Sequence, residues 1–395
     1  MHDAMHDAMH DVILVGGGLA NGLIAWRLRQ LRPDLRILLV EQGSALGGNH
    51  TWSFYQADLT PAQLAWLQPM VVRHWPGYEV RFPSHRRTLD SACYSISAER
   101  FHEVLTAALG EAVLLDAPVG TVERHSVQAG GQTLRAKVVI DGRGQQASPH
   151  LRCAYQKFVG REVLLQEPHG QALPIIMDAT VAQDGGYRFV YTLPFDERRL
   201  LVEDTYYSNG PELDPGTVGD RIDAYIASRG WRVASVVREE TGVLPIALSG
   251  DIEAFWRDKH GALPCSGLRA GLFHATTGYS LLYAVRLADL IAGMDTLDAD
   301  AVYQATKAYS VQQWRSQGFM RLLNRMLFHA SPPLQRYRIL QRFYKLPQQL
   351  IERFYASQLT WFDQLRILTG KPPVPVLSAF RAAIETGKEL SSKQS

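Results

Sequence analysis

Cysteine, long apolar runs and an excess of either charge are all scarce in this sequence. The 395 residues include three cysteines, and their wide spacing predicts neither a disulfide framework nor a zinc cluster. Lys+Arg number 41 and Asp+Glu 39, so the formal net charge of +2 gives no reason to expect nucleic acid as a partner. No metal-ligand spacing occurs, and we predict no metal site and a reducing, cytoplasmic setting.

The sequence also lacks a stretch of about 18 uninterrupted apolar residues, so we predict no membrane-spanning helix. The first residues repeat MHDA-MHDA-MHDV without an apolar core or a cleavage site. We interpret residues 1–8 as a disordered duplication. The remaining length, with 46% hydrophobic residues, predicts two or three domains around a large core.

The clearest motif follows this repeat. A short apolar run at 11–15 predicts a strand buried on both faces, helical periodicity covers 20–31, and a second apolar run covers 35–40. Strand, turn, helix and strand together have the length of one βαβ unit. The turn consists of three consecutive glycines, Gly16, Gly17 and Gly18.

This turn resembles a GxGxxG fingerprint, in which glycines let the backbone approach a pyrophosphate at a helix N-terminus. Gly16 and Gly18 take the first two positions, and Asn21, with Gly22 beside it, takes the third. Glu41 ends the second strand, where an acidic residue binds ribose hydroxyls. The pattern predicts dinucleotide binding, and the acid favours FAD or NAD over NADP at this site.

A distant segment favours FAD. Hydroxylase-like flavoproteins close the cofactor site with a strand, a loop and a helix whose N-terminus faces the flavin, and residues 267–280 have that form. We predict a helix from about Gly278 and cofactor contacts from His274, Thr277 and Gly278. Arg269 stands where such enzymes usually have aspartate, and Thr277 is alternatively an ordinary N-cap.

The last hundred residues read as helices separated by prolines. Residues 314–371 contain ten Lys/Arg against two Asp/Glu, together with ten aromatic residues, whereas the rest of the chain has an acidic excess. A basic, aromatic helical segment is typical of a membrane-surface contact. A helical domain with a solvated basic face is the alternative.

Several motifs, taken in order, resemble bacterial lycopene β-cyclases over residues 9 to about 384. One departure is Ala275, where the family usually has proline. The motifs are GLANGL (18–23), GGNHTWSF (47–54), LVEDTYYS (201–208), GVLPI (242–246), HATTGYS (274–280), RFYKLP (342–347) and GKPPVP (370–375).

The resemblance implies an α/β (α+β) fold. Its parts are a Rossmann-like FAD-binding domain of the glutathione-reductase/hydroxylase type, an antiparallel β-sheet substrate domain and a C-terminal helical region. We expect a discontinuous FAD-binding domain at 9–154 and 247–300, the substrate domain at 155–246, and a helical, membrane-associating region at 301–395. Within the substrate domain, alternating segments predict a hairpin of 187–192 and 200–205.

The resemblance further implies conversion of lycopene to β-carotene through γ-carotene. The cofactor is expected to be reduced FAD, with NAD(P)H as electron donor and no net redox change. The enzyme is expected to attach to the inner face of the cell membrane.

Ring closure by protonation needs a carboxyl group that stays protonated near neutral pH, and burial in an apolar pocket supplies it. Residues 200–207 form an acidic strand in which alternation sends Glu203 and Asp204 to opposite faces. The family resemblance assigns catalysis to Glu203, with Asp204 as second candidate. The alternative for Glu203 is a structural pair with Arg188, Arg198 or Arg199.

Other residues rank lower. Glu239 and Glu240 are a possible second acid pair, but their polar surroundings favour a solvated face. His50 is a weaker candidate than His274 for a cofactor contact. The aromatic residues that we consider for a polyene channel, although core packing explains each one alone, are Trp52, Phe54, Tyr187, Phe189, Tyr191 and Tyr206.

Two rival functions stay open at this point. One is a redox flavoenzyme on the same scaffold, either geranylgeranyl-reductase-like or hydroxylase-like, which would change the mass of its substrate. The other is a non-catalytic, flavin-containing carotenoid or lipid binder. Substitution of Glu203 by Gln distinguishes a binder from a cyclase, because a binder would keep its ligand whereas a cyclase would lose turnover.

Overall fold

A computed structural model describes residues 9–369. The duplication at 1–8 and the GKPPVP motif at 370–375 lie outside the described residues. The strands are β1 (His10–Val15), β2 (Ile37–Val40), β3 (Thr51–Tyr55), β4 (Arg73–Trp75), β5 (Tyr78–Phe82), β6 (His85–Leu89), β7 (Cys93–Ser97), β8 (Val113–Leu114), β9 (Val119–Val122), β10 (Ser126–Ala129), β11 (Gln132–Asp141), β12 (Leu151–Leu165), β13 (Ile175–Asp178), β14 (Tyr187–Pro194), β15 (Arg199–Ser208) and β16 (Val233–Gly250).

The helices alternate with these strands in the first half and dominate the end of the chain. They are α1 (Leu19–Leu31), α2 (Pro61–Leu67), α3 (Ala98–Leu109), α4 (Pro215–Ser228), α5 (Ile252–Arg257), α6 (Leu281–Ala292), α7 (Ala299–Ser316), α8 (Gly318–Arg325), α9 (Tyr337–Phe343), α10 (Gln348–Tyr355) and α11 (Trp361–Leu368).

The dinucleotide-type unit is a six-stranded sheet in the order β8-β2-β1-β11-β10-β9. β1 pairs in parallel with β2 and β11, and the side chains of Val12, Ile13 and Leu14 are fully buried. Such burial on both faces explains the unbroken apolar runs in the sequence. α1 packs along α6, so the helix after the glycine turn is covered by a helix from much later in the chain.

A seven-stranded sheet in the order β16-β12-β15-β14-β13-β5-β6 forms the second layer. The predicted hairpin is present as the antiparallel pair β14–β15. We expected all of 9–154 to belong to the dinucleotide-binding domain, but β5 and β6 extend this second sheet through the parallel pairing of β5 with β13. The alternation of apolar and polar residues predicts a strand, but it does not predict which sheet the strand joins.

The two faces of this sheet differ in what covers them. On the outer face, Val159, Val190 and Val202 pack with α4 in a separate apolar cluster. The inner face faces the main core, and its residues include Tyr187, Phe189, Tyr191, Glu203, Thr205 and Tyr207. The alternation of β15 therefore assigns neighbouring residues to two different environments.

The C-terminal helical region joins the second sheet to the loop before α6. In α8, the Asn324 amide donates to the carbonyls of Ala247 on β16 and Ala275, both at 2.8 Å. Gln317 accepts a hydrogen bond from the Ala275 amide at 2.6 Å. Within residues 9–369, no helix has both the length and the apolar character needed to cross a bilayer.

Candidate active site

The glycine turn joins β1 to α1. Gly16 has φ +93°, and a Cβ there would lie 3.1 Å from the backbone of Gly142, so the position favours glycine. Gly18 is the N-cap residue of α1, and a Cβ on it would meet nothing within 4 Å. No side chain caps this end of the helix and the space at Gly18 is open, an arrangement that fits a pyrophosphate.

Glu41 lies immediately beyond β2 and against this turn. Its Oε2 accepts a hydrogen bond from the Gly17 amide at 2.7 Å, and its Oε1 accepts one from the Gly43 amide at 2.8 Å. The carboxylate thus sits beside the turn, as the sequence spacing predicts. The ADP half of a dinucleotide could be held here by Gly16, Gly17, Gly18 and Glu41.

Asn21, the third position of the fingerprint, points into the protein. Its amide donates to the Val15 carbonyl at 2.9 Å and its Oδ1 accepts from the Ser266 hydroxyl at 2.7 Å. The side chain therefore fastens α1 to the end of β1 and to a distant loop. The close helix contact occurs at Gly22, where a Cβ would lie 2.3 Å from the Phe101 ring. A role for Asn21 in cofactor binding stays a prediction.

The distant loop at 274–280 is held by His274. Its Nε2–H donates to the Phe354 carbonyl at 3.0 Å, and its Nδ1 accepts from the amides of Thr276 and Thr277 at 3.3 Å. This tautomer follows from the partners, because the carbonyl can only accept. Burial lowers the pKa of His274 to about 4, so the ring is neutral and shapes the loop.

The helix after this loop begins later than predicted. We expected it to open at about Gly278, but α6 begins at Leu281, and Ser280 is its N-cap residue. Thr277 accepts a hydrogen bond from the Tyr279 amide at 3.3 Å instead of capping the helix. Gly278 has φ +73°, and a Cβ there would lie 2.6 Å from Cβ of Leu244 on β16. This close approach brings the loop against the inner face.

Arg269 replaces the usual aspartate and has an acidic partner. Its Nε donates to the Asp141 carboxylate at 2.9 Å, and Arg143 binds the same carboxylate. Asp141, at the end of β11, is thus paired with two arginines. Asp141 and Arg269 join the two segments that flank the glycine turn.

Glu203 lies in the middle of the inner face. In register it stands opposite Tyr191 of β14 and Gly160 of β12, and Gly160 stands opposite Glu240 of β16. The Thr205 hydroxyl donates to Glu203 Oε1 at 2.7 Å. Glu203 lies deep in the protein, although part of its surface remains uncovered.

Burial raises the pKa of Glu203 from its ordinary value to about 8. The Glu240 carboxyl group adds to the rise because it is a second negative charge and accepts a hydrogen bond from protonated Glu203. Thr205 opposes the rise by donating to the charged form. A carboxyl group in this setting is an acid that stays protonated near neutral pH.

Asp204, the second candidate, lies on the outer face as the alternation predicts. Arg188 binds it through two nitrogens, with Nε at 2.9 Å from Oδ2, and the Asp204 side chain is fully buried. The structural pair that we considered for Glu203 therefore belongs to Asp204. A catalytic role for Asp204 stays a prediction.

Glu240 is the site residue that the sequence interpretation missed. We expected Glu239 and Glu240 on a solvated face, and Glu239 fits this expectation through its partly exposed ion pair with Arg161. Glu240 is 2% exposed and binds the Thr51 hydroxyl and Arg238 Nη1, each at 2.9 Å. Alternation along β16 could have assigned Glu239 and Glu240 to opposite faces of the sheet. It could not have shown which strand lies beside β16.

A small cavity of about 10 Å³, lined mainly by aromatic side chains, lies beside Tyr191, which stands opposite Glu203 in the sheet. Its lining includes Tyr191 and Tyr279, whose hydroxyls both interact electrostatically with Glu203. Of the predicted channel residues, Phe54 and Tyr191 line this cavity. Tyr187 and Phe189 share the inner face, Trp52 packs on Phe101, and Tyr206 lies on the outer face with Lys157 over its ring.

The sequence comparisons agree over nearly the whole chain. Residues 11–381 match the family model described as lycopene cyclase protein. Lycopene beta-cyclase of Pseudescherichia vulneris is 56% identical over 374 residues, which are 94% of this chain and 97% of that protein. Lycopene beta-cyclase of Pantoea ananas is 51% identical over 376 residues, 95% of this chain and 98% of the relative.

Solved structures share the fold at low identity. The flavin-dependent brominase Bmp2 superposes with a TM-score of 0.61 at 12% identity and covers 91% of this chain and 97% of its own. A geranylgeranyl bacteriochlorophyll reductase-like protein from Thermoplasma acidophilum gives 0.56 at 14% identity, with 97% and 98% covered. These similarities establish the mixed α/β scaffold that the sequence predicts.

Proposed function

Because the chain belongs to the lycopene cyclase family, we propose that it closes the acyclic ends of lycopene to β-ionone rings, giving β-carotene through γ-carotene. The observation that carries this proposal within the structure is Glu203, a deep carboxyl group with a raised pKa beside an aromatic cavity. The reaction is an isomerisation, because the product has the same atoms as the substrate.

Glu203 is the general acid in this proposal. Its proton adds to the terminal double bond of lycopene and forms a new C–H bond, which leaves a tertiary carbocation. The neighbouring double bond attacks that carbon and closes the ring, so the positive charge moves to a ring carbon. Loss of a proton from the adjacent carbon forms the β-type double bond. One proton enters and one leaves, and no electrons are gained or lost.

The aromatic lining protects and stabilises these cations. The π-faces of rings such as Tyr191 and Tyr279 attract a cation by about 0.5–2 kcal/mol each. Burial raises the pKa of both phenols, so they stay neutral and are poor nucleophiles toward the carbocation. A narrow cavity also excludes water, which would otherwise trap the cation as an alcohol.

The glycine turn, Glu41 and the loop that contains His274, Thr277 and Gly278 would hold FAD. The uncapped N-terminus of α1 would bind its pyrophosphate, and Glu41 its ribose hydroxyls. Bound in its reduced form, with NAD(P)H as electron donor, the flavin supplies negative charge that favours the developing cation.

Anaerobic incubation with lycopene and NADPH, followed by chromatography and mass spectrometry, tests this function. We expect β-carotene with the mass of lycopene, and γ-carotene at early times. A product heavier by added hydrogen or oxygen would support the rival redox function. Lycopene that binds but is recovered unchanged would support the non-catalytic binder.

The same proposal includes a membrane contact, because lycopene is a hydrocarbon that dissolves in bilayers. One side of α11 exposes Trp361, Phe362, Leu365 and Leu368, with Phe362 65% exposed. Arg353 anchors this helix by binding the Asp363 carboxylate at 2.6 Å. The surrounding basic excess of residues 314–371 complements anionic lipid at the inner face of the cell membrane.

Co-sedimentation with vesicles of anionic and neutral lipid tests this contact. We expect binding to anionic vesicles that weakens with salt and is lost when Trp361 and Phe362 are both changed to serine. The matched control changes Leu334, which is exposed elsewhere in the helical region. Failure to bind anionic vesicles at any salt concentration would remove the membrane contact from the proposal.

A further inference from the structure

Two carboxyl groups meet across one glycine on the inner face. Glu203 of β15 and Glu240 of β16 are separated by β12, on which Gly160 stands opposite both. A Cβ built on Gly160 would lie 2.9 Å from Cγ of Glu240 and 3.1 Å from its Oε1. Because Gly160 has no side chain, the Glu240 carboxyl group can extend across β12 toward Glu203.

The two groups have unequal partners. Glu240 accepts hydrogen bonds from the Thr51 hydroxyl and from Arg238, whose guanidinium also binds the buried Glu162. Glu203 has one neutral donor, Thr205. Burial raises the pKa of Glu240 as well, but Arg238 and Thr51 oppose that rise by stabilising the charged form. Glu240 is therefore the member that ionises more readily, and Glu203 is the member that keeps the proton. Glu203 is also the more exposed member of the pair, whereas Glu240 is 2% exposed.

We propose that Glu240 is a positioning residue for cyclisation, whose carboxylate accepts a hydrogen bond from Glu203 and keeps the transferable proton on it. This inference rests on the proposed function, because it names what prepares the acid of that reaction. The residue pair shares one proton, as two carboxyl groups in contact cannot both ionise without strong repulsion.

The pair also explains how one carboxyl group can both give and take a proton. When Glu203 protonates the alkene, two adjacent carboxylates remain, and their repulsion makes Glu203 a stronger base. Glu203 then removes the proton from the ring carbon, and the electron pair of that C–H bond forms the ring double bond. The shared proton is restored, so each ring closure ends with the pair in its starting state.

The other groups around Glu203 do not duplicate this effect. Tyr191 from β14 and Tyr279 from the loop before α6 are neutral phenols. Asp204 on the same strand raises the pKa of Glu203 only as a weaker, more distant charge and is itself bound by Arg188. Glu240 is therefore the charge whose removal has the largest effect.

Infrared difference spectra against pH, recorded on the purified protein with its flavin bound, test this inference without turnover. The C=O stretch of protonated Glu203 is assigned as the band that is lost in Glu203→Gln. We expect this band to titrate near pH 8 in the unmodified protein. In Glu240→Gln, the midpoint should fall by about one pH unit or more, while burial keeps it above that of a free glutamate.

Two further variants separate charge from general disruption. Gly160→Ala keeps both carboxyl groups but separates them, so its midpoint should also fall. Glu239→Gln removes the neighbouring acid that points away from the pair, and its midpoint should not change. The alkaline limb of the cyclisation rate should follow each midpoint, whereas a purely structural defect would lower the rate at every pH.

An unchanged Glu203 midpoint in both Glu240→Gln and Gly160→Ala would overturn the inference, even in a protein that makes β-carotene. A shifted midpoint in a protein that leaves lycopene unchanged would instead support the carboxyl pair and overturn the proposed function. The two ideas therefore fail through different results.

Discussion

Glu203 and Asp204 are neighbours on one strand, yet the two faces of the sheet give them different chemistry. Burial raises the pKa of both carboxyl groups. On the outer face, Arg188 opposes that rise for Asp204 by donating to its charged form. On the inner face, Glu203 meets another carboxyl group instead of a cation. The comparison shows that the nearest partner either opposes or adds to the rise in pKa that burial causes.

The surroundings of each face follow the same division. The outer face is covered by aliphatic side chains of β12, β14 and α4, which pack against one another in one apolar cluster. The inner face carries aromatic rings, a glycine gap and the loop at 274–280. One face stabilises the sheet, and the other supplies the candidate site.

Of the substitutions on the two faces, Glu203→Gln should lower the cyclisation rate the most. Gln has nearly the same shape but cannot donate an acidic proton, so cyclisation should fall by about 10²–10⁴-fold. Chromatography measures the loss, and thermal melting and lycopene binding should stay close to those of the unmodified protein. A variant that keeps most of its rate would remove Glu203 from the mechanism.

Asp204→Ala should harm the fold more than the chemistry. It leaves Arg188, which is itself buried, without its carboxylate, and breaking such a pair costs about 3–5 kcal/mol of unfolding free energy. Denaturant unfolding measures this cost, and kcat per folded molecule should change little. Normal stability combined with lost turnover would instead make Asp204 the catalytic acid.

The raised pKa of Glu203 should also make the stability of the protein depend on pH. A folded-state pKa above the ordinary value of 4.5 means that the folded protein holds the Glu203 proton more tightly than the unfolded chain. The resulting stabilisation is complete below that ordinary value and is lost as the pH rises toward about 8. The unfolding free energy of the unmodified protein should therefore fall over this interval relative to Glu203→Gln, as urea titrations at several pH values can measure. Parallel curves for the two proteins would contradict the raised pKa.

The smallest predicted effect compares one ring from each face. Tyr191→Leu removes a cavity ring and its attraction for the carbocation, so the rate should fall by about 2- to 30-fold, which corresponds to about 0.5–2 kcal/mol. The matched control is Tyr206→Leu on the outer face, whose cyclisation rate should hardly change. Equal effects of the two substitutions would argue against cation stabilisation by the lining.

Local patterns predicted a large part of this fold. α3, for example, begins at Ala98 because Ser97 caps its first turn, and it ends before Gly110, which has φ +54°. The glycine turn, Glu41 and the β14–β15 hairpin likewise depend on residues that are close in sequence. Periodicity, helix caps and motif spacing predict these elements because each depends on residues that are close in sequence.

What the sequence did not predict depends on distant partners. Glu240 enters the site only because β16 pairs with β12, and Asn21 turns inward because Ser266 lies across from it. α6 begins at Leu281 and not at Gly278, because His274 and the close packing of Gly278 on β16 hold the preceding loop in a non-helical conformation. Such contacts are set by the arrangement of the whole chain.

The narrowness of the aromatic cavity limits how a symmetric substrate can be handled. A monomer carries a single Glu203, so only one tip of a forty-carbon chain can be processed during a visit. A half-finished molecule must withdraw, reverse its direction and enter again with its untouched tip first. The membrane contact proposed for α11 would place bilayer lipid where that reversal can occur, and release between the two visits would give other enzymes access to the one-ringed carotenoid.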